Sequence, residues 1–149
     1  AEVGARVPQP DGALVAPPAT SLLLSAEGAG DDAPSADHQV EQEKWKQYVE
    51  KATIIFVAVH AEHPSHYTLL EIHRHDEGVD IAFYDSLKAP AATSSAAATR
   101  ILRALGVEAD CPAPRNRARQ TDGWSCGVRV ARFLERRLRE LRGEARLLF

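Results

Sequence analysis

The sequence predicts a fold that contains both α-helices and β-strands, because helix-like patterns lie on both sides of a group of strand-like runs. Three observations support this class. A helical stripe of apolar residues ends near residue 52, three runs rich in β-branched and aromatic residues follow between residues 53 and 84, and two more helical stripes occupy the remainder. At 149 residues, 44% of them hydrophobic, the chain has the size and composition of a single globular domain.

Residues 1–37 differ in composition from the remainder of the chain. They are rich in Ala, Pro, Gly, Ser and Asp and contain few aromatic or β-branched residues. Such a segment buries too little apolar surface to offset the entropy lost on ordering. We therefore predict that residues 1–37 are a flexible low-complexity leader and that the folded domain occupies residues 38–149.

An amphipathic helix is expected at the start of the domain, followed by a buried strand. The apolar residues of the helix recur at positions i, i+3, i+4 and i+7: Trp45, Tyr48, Val49 and Ala52. Asp37 is the expected N-cap, since its carboxylate can accept unpaired N–H groups of the first turn. Residues 53–59 form an uninterrupted run, TIIFVAV, which is typical of a strand covered on both faces.

A β-hairpin follows, and its spacing brings an imidazole and a carboxylate together. Strands are predicted at residues 66–72 and 79–84, joined by a polar segment in which Gly78 can adopt a positive φ. If the hairpin pairs symmetrically, His66 and Asp85 lie opposite each other at its open end, where opposed Cβ atoms are about 5 Å apart. Side chains at that separation can form a hydrogen bond.

Two helices are predicted in the last third of the chain. Residues 91–105 are alanine-rich with one apolar stripe, and Gly106 is the expected residue after the helix end. Residues 107–119 contain prolines that argue against a central strand, so we expect a loop there. The second helix begins near Cys126, carries apolar residues at helical spacing, and is expected to end at Gly143.

Cys126 is the candidate nucleophile. It stands at the predicted loop-to-helix junction, where unpaired backbone N–H groups favour a thiolate. Gln120, upstream in the same loop, offers an amide donor for a developing oxyanion, and Gly127 leaves room for a substrate backbone. With His66 and Asp85, the chain supplies a nucleophile, a base, a group that orients the base, and an oxyanion donor.

Each of these residues also has a simpler interpretation. A buried cysteine at the start of a core helix commonly serves as a small apolar residue, and an aspartate after a strand commonly caps a turn. A zinc site is a further alternative, because His60, His63 and His66 are evenly spaced along the chain. No cysteine pair accompanies these histidines, so we predict neither a metal nor a cofactor.

Charge and cysteine content limit the expected partners. Residues 1–99 hold six basic and fifteen acidic side chains, whereas residues 100–149 hold twelve and six, within a net charge of −3. A basic end of this kind is more commonly a solvated helix face than a nucleic-acid site, so nucleic acid is not an expected partner. No apolar run reaches the ~18 residues of a membrane span, so no membrane partner is expected either. Two cysteines form no disulfide framework, which favours an intracellular location, the nucleus or the cytoplasm.

Three separated motifs resemble the ubiquitin-like-protein proteases, the desumoylating and deneddylating cysteine peptidases related to adenain. The motifs are HYTLL from His66, FYDSL with Asp85 at its centre, and QTDGWSCGV from Gln120 through Cys126. Their order, His…Asp…Gln…Cys, differs from the Cys…His…Asn order of papain-type enzymes. The resemblance covers residues 53–142.

The resemblance implies a role for each matching residue. Cys126 would be the nucleophile, and His66 the general base and later the general acid. Asp85 would orient His66, while Gln120 and the backbone N–H of Cys126 would form the oxyanion hole. The implied fold is α+β, a mixed central sheet packed with helices, with the nucleophile at the N-terminus of a central helix (a cysteine-proteinase-like fold). The implied substrate is a ubiquitin-like modifier such as SUMO, or its protein conjugate, and no cofactor is required.

The resemblance also makes residues 38–149 a catalytic domain of this type, truncated in its upstream part. Two positions depart from the family pattern, since Tyr67 follows the histidine where Trp is usual and Ser125 precedes the cysteine where Asp is common. The usual Trp helps to form the narrow tunnel for the Gly-Gly end of the substrate. Two alternatives therefore stay open: a polyprotein- or transposon-type protease of the same family, or a non-catalytic binding module descended from it.

Overall fold

The described part of the chain is one sheet with helices on both faces. The computed structural model describes residues 13–16, 36–62, 65–87, 92–115, 121–122 and 124–141. In chain order, the elements are β1 (Ala13–Ala16), α1 (Ala36–Lys51), β2 (Ile54–Ala61), β3 (His66–His75), β4 (Gly78–Tyr84), α2 (Ala92–Ala104) and α3 (Cys126–Leu141). The predicted α+β class is confirmed. Within these ranges, no helix combines the length and the apolar character that crossing a membrane requires.

The sheet is mixed, as the family resemblance implies. Its strand order is β1-β2-β3-β4, with β1 parallel to β2 and both other neighbouring pairs antiparallel. All three strands predicted from the sequence are present. The hairpin strands β3 and β4 extend further toward their turn than predicted, because polar side chains at the exposed end of a strand do not prevent ladder hydrogen bonds.

β1 lies inside residues 1–37, the stretch whose composition predicts a flexible leader. It pairs with the first part of β2. Leu14 packs against the core on one face of the sheet and Val15 against the core on the other, so the strand buries apolar side chains on both sides. Residues 1–12 and 17–35 lie outside the described residues, and for them the leader stays a prediction.

Helices cover both faces of the sheet. On one face, α1 and α2 bury strand residues that are at most 1% exposed, among them Ile55, Ile72 and Phe83. On the other face, Phe133 of α3 packs in a second cluster with Phe56. Burying one such side chain contributes roughly 1.5–3 kcal/mol. The interpretation of residues 53–59 as a strand covered on both faces is confirmed.

A buried ion pair ties α3 to the sheet. Glu71 in β3 is 3% exposed, and its carboxylate accepts hydrogen bonds from Arg137 Nη2 at 2.7 Å and Arg137 Nε at 3.0 Å. These bonds raise the pKa of Arg137, which also contacts Glu140. The Tyr84 hydroxyl donates to Glu71 at 3.0 Å, and burial, reinforced by the Glu71 charge, raises the pKa of Tyr84.

Two helix ends test the predicted capping residues. After α2, Gly106 has a φ of 78° and its N–H donates to the Arg103 carbonyl at 3.0 Å, while the Val107 N–H donates to the Leu102 carbonyl at 2.8 Å. This pair of bonds is the Schellman motif, so the predicted role of Gly106 is confirmed. α1 begins one residue before Asp37, so the predicted N-cap is wrong. Asp37 instead lies in the first turn, where its negative charge interacts favourably with the positive end of the helix dipole.

Candidate active site

The β3–β4 hairpin places His66 against Asp85. His66 is the first residue of β3, and Asp85 directly follows β4. His66 Nε2 lies 2.7 Å from Asp85 Oδ1, and the two side chains are 3% and 0% exposed. The predicted contact is therefore present, and it is shielded from water, where hydrogen bonds to a charged group are stronger than at the surface.

The register that produces this contact differs from the predicted one. His75 pairs with Gly78, so the turn contains only two residues. The same register sets Asp85 across from Thr68 and diagonal to His66, so the predicted direct opposition is wrong by two residues. Because side chains alternate with a period of two, a shift of two residues keeps both groups on one face. Diagonal neighbours remain within reach of a long side chain.

The partners of Asp85 determine the tautomer of His66. An ionised carboxylate only accepts hydrogen bonds, and Asp85 Oδ1 also accepts the backbone N–H of Leu87 at 2.9 Å. His66 Nε2 must therefore carry the hydrogen, which leaves the lone pair of the neutral imidazole on Nδ1. Nδ1 is the atom that can take a proton from a thiol, and Asp85 then stabilises the resulting imidazolium.

Cys126 begins α3, as the sequence predicts. The Ser125 carbonyl accepts the Arg129 N–H at 3.0 Å, which is the first backbone bond of the helix, so Ser125 is the N-cap and Cys126 the first helical residue. The Cys126 N–H consequently has no partner within the helix. Cys126 is a free thiol and is 7% exposed. This position provides the positive end of the helix dipole that favours a thiolate.

Packing of α3 on β3 brings Cys126 and His66 to the same end of the sheet. A Cβ added to Gly127 would lie 4.0 Å from Tyr67 Cδ2, so the first turn of α3 stands beside the Tyr67 ring. Cys126 immediately precedes Gly127 in the chain, and His66 immediately precedes Tyr67. Gln120 lies outside the described residues, so its role as an oxyanion donor stays a prediction.

Asp122 is a further residue of this region, and it is not among the site residues predicted from the sequence. Asp122 Oδ1 accepts the backbone N–H groups of Trp124 at 3.0 Å and Ser125 at 2.7 Å, and Oδ2 accepts the Ser125 hydroxyl at 2.8 Å. Arg129 Nε donates to that hydroxyl at 3.2 Å. The Trp124 and Ser125 N–H groups hold the pKa of the Asp122 carboxyl below its usual value. Asp122 precedes Trp124 by two residues and Ser125 by three. An aspartate at this spacing is a sequence signal for such side-chain-to-backbone hydrogen bonds.

The zinc alternative requires His60 and His66 on the same side of the sheet. Ala61 pairs directly with His66, so His60 projects from the opposite face. His60 Nε2 bonds the Ser65 hydroxyl at 2.8 Å, and its ring lies 4.7 Å from that of Tyr67. Among the described residues, which exclude His63, no three potential metal ligands form a group. The geometry therefore favours His66 as the partner of a carboxylate.

Cys111, the second cysteine, is expected to react slowly. Burial raises the pKa of the Cys111 thiol from 9.0 to about 11, so at neutral pH its thiolate fraction is about 10²-fold lower than that of an ordinary thiol. Cys126→Ala leaves Cys111 as the only cysteine. Its alkylation by iodoacetamide should still accelerate between pH 9 and pH 10.5, where the alkylation of a thiol with a pKa of 9.0 levels off. A plateau below pH 9.5 would contradict the expected protonation state.

The described fold is α+β with Cys126 at the start of a helix, and it is similar to two solved structures of XopD. One is the Xanthomonas campestris effector protein XopD bound to ubiquitin, with a TM-score of 0.72 and 22% identity; the match covers 89% of this chain and 64% of that chain. The other is a cysteine-to-alanine mutant of Xanthomonas XopD, with a TM-score of 0.70 and 20% identity; the match covers 92% of this chain and 74% of that chain. No protein-family model and no curated protein matches the chain.

These similarities agree with the resemblance carried by the three motifs. XopD is a ubiquitin-like-protein protease, so the structural neighbours come from the family that the motifs resemble. The implied fold is confirmed, with a mixed sheet packed by helices and Cys126 at a helix N-terminus. The present chain spans 64% of the XopD chain in the ubiquitin complex.

Proposed function

We propose that this chain is a cysteine-type peptidase or isopeptidase that deconjugates or matures a ubiquitin-like modifier such as SUMO. Cys126 is the nucleophile, and His66, oriented by Asp85, is the general base. Gln120 and the Cys126 N–H stabilise the oxyanion. Both cysteines in the sequence are free thiols, which suits a reduced location in the nucleus or cytoplasm.

One observation carries this proposal: the buried hydrogen bond between His66 and Asp85 at the end of the sheet where α3 begins with Cys126. A carboxylate that fixes one imidazole nitrogen leaves the other free to act as a base. An imidazole held in this way, at the end of the sheet where a helix begins with a cysteine, supplies the base that an activated thiol site requires.

The reaction follows from these positions. His66 Nδ1 takes the thiol proton, and the Cys126 sulfur attacks the substrate carbonyl carbon. The carbonyl oxygen gains the negative charge and accepts hydrogen bonds from the oxyanion donors. When the C–N bond breaks, His66 returns the proton to the leaving amine. Water, deprotonated by His66, then hydrolyses the thioester and releases the substrate carboxylate and the free thiol.

An apolar surface beside the nucleophile suits a protein substrate. Trp124 is 79% exposed and Val128 is 50% exposed, and they stand on either side of Cys126 in the chain. Asp122 fixes the backbone of Trp124, so its indole is presented from a held segment. Exposed aromatic groups of this kind commonly contact other molecules. We include both residues in the proposed substrate surface. The ubiquitin complex of the similar XopD supports a modifier as the partner.

A panel of ubiquitin-like modifiers with C-terminal vinyl sulfones tests the proposal. We expect a covalent adduct with at least one modifier, detected by mass spectrometry, and no adduct with Cys126→Ala. Cys111→Ala is the matched control, because it removes the other cysteine and should still be labelled. The same modifiers, joined to aminocoumarin, should be hydrolysed.

The remaining outcomes separate the alternatives. Cleavage of unrelated polypeptides without a reaction with any modifier would favour a polyprotein- or transposon-type protease, the alternative that Tyr67 and Ser125 keep open. Modifier binding without a Cys126-dependent adduct would favour a non-catalytic binding module. Either result would contradict the proposed deconjugating activity.

A further inference from the structure

The hydrogen bonds of Asp122 act on the peptide group that carries the Cys126 N–H. In a trans peptide, the N–H points opposite to the C=O of the same unit. The Ser125 carbonyl is directed along α3 by its bond to the Arg129 N–H. The Cys126 N–H therefore points outward from the helix N-terminus. A rotation of this one peptide would turn that N–H away from the substrate side.

Asp122 restrains this peptide from its upstream side. Its carboxylate holds the Ser125 residue at two points, the backbone N–H at 2.7 Å and the hydroxyl at 2.8 Å. The Arg129 side chain holds the same hydroxyl from the helix, at 3.2 Å. Ser125 is thus fixed from both sides by groups of opposite charge. Fixing this residue fixes the direction of the next N–H along the chain.

We propose that Asp122 is a positioning residue: it holds the Ser125–Cys126 peptide so that the Cys126 N–H meets the oxygen that becomes negative during thiolate attack. The inference rests on the proposed function, since it names the group that orients one oxyanion donor of that site. A fixed donor stabilises a transition state more than a mobile one, because no reorganisation is needed when the charge develops.

The proposal separates two properties of Cys126. Alkylation by iodoacetamide displaces iodide at carbon and creates no oxyanion, so it reports only how readily the thiolate forms and is reached. Hydrolysis of a modifier–aminocoumarin substrate also needs the oriented N–H. Loss of the Asp122 contacts should therefore affect hydrolysis far more than alkylation.

The experiment compares three variants with the unmodified chain. Asp122→Ala removes the hydrogen bonds to Trp124 and Ser125 and should lower kcat by about 10²-fold. Its Cys126 alkylation rate, followed on the Cys126 peptide by mass spectrometry, should change by no more than about threefold, as expected for loss of one partly exposed charge. Asp122→Asn keeps an oxygen for both backbone N–H groups and should recover kcat to within about tenfold of the original value. Asp110→Ala removes a carboxylate that is 89% exposed and should match the unmodified chain.

Three results would overturn the proposal. In the first, kcat of Asp122→Ala stays within threefold of the original value. In the second, hydrolysis and alkylation fall in equal proportion, which would show that Asp122 only maintains the loop. In the third, Asp122→Asn is as defective as Asp122→Ala.

Failure of the proposed function gives a different pattern. An unmodified chain that is alkylated at Cys126 but hydrolyses no modifier substrate would refute the proposed deconjugating activity and, with it, the catalytic part of this proposal. Amide hydrogen exchange then decides whether Asp122 holds the peptide at all. Faster exchange of the Trp124 and Ser125 amides in Asp122→Ala would support the restraint, and unchanged exchange would exclude it.

Discussion

Replacing His66 with glutamine is expected to lower kcat/KM by about 10⁴-fold or more, since a base and the nucleophile it activates act as a unit. Glutamine has no titratable nitrogen, so it cannot take the Cys126 proton at neutral pH. Its amide N–H can still donate to Asp85, which is fully buried. The fold should therefore survive, and the change should appear in hydrolysis of the modifier–aminocoumarin substrate while the Tm stays close to that of the unmodified chain.

His75→Gln is the matched control for this prediction. His75 lies at the opposite end of β3, and its side chain is 44% exposed, 3.2 Å from the carboxylate of Asp80. The same chemical replacement there should leave kcat/KM unchanged within about twofold, because an exposed ion pair contributes little. If His66→Gln retained more than a tenth of the original activity, His66 would not be the base.

The largest loss of stability is expected from Arg137→Ala. This change leaves the Glu71 carboxylate buried without its ion-pair partner, and removing one partner of a buried ion pair costs about 3 kcal/mol or more. The partial exposure of Arg137, at 23% of its side chain, places the effect at the lower end of that range. In a domain of this size the Tm should fall by at least roughly 10 °C, measured by thermal unfolding.

A control and a double variant show whether the ion pair is the cause. Arg139 lies on the same helix, and its side chain is 43% exposed and pairs with Glu135 of that helix. Arg139→Ala should therefore change stability by less than about 0.5 kcal/mol. Replacing both Glu71 and Arg137 with methionine should recover most of the loss, because an apolar pair leaves no buried charge. Equal destabilisation by Arg137→Ala and Arg139→Ala would exclude the buried ion pair as the cause of the loss in stability.

The contact between His66 and Asp85 could be predicted because it depends on alternation along two strands. The sequence marks both strands clearly, and any hairpin register shifted by two residues keeps the same faces together. The register itself could not be predicted from the polar segment between the strands, since several turn lengths fit it. The two-residue turn before Gly78 is selected by the pairing of the extended strands.

The ion pair and the Asp122 contacts were missed for two different reasons. Glu71 and Arg137 are 66 positions apart, so their contact depends on how α3 lies across the sheet, which no local pattern encodes. The Asp122 contacts are close in sequence, but an Asp ahead of a helix can accept hydrogen bonds from several different backbone or side-chain groups. Only the backbone geometry decides which of these bonds form. The start of α3 was easier to predict, because its apolar stripe begins just after Cys126.

The parallel pairing of β1 with β2 has a consequence for self-association. Residues 54–57 of β2 are Ile, Ile, Phe and Val, without a charge among them. In the described sheet, β1 occupies the side of β2 that faces away from β3. Without it, the backbone N–H and C=O groups of an uncharged strand would form an open edge, which is a template for pairing with other chains and for aggregation. Four residues within a stretch of leader-like composition therefore cover the edge of an uncharged, apolar strand.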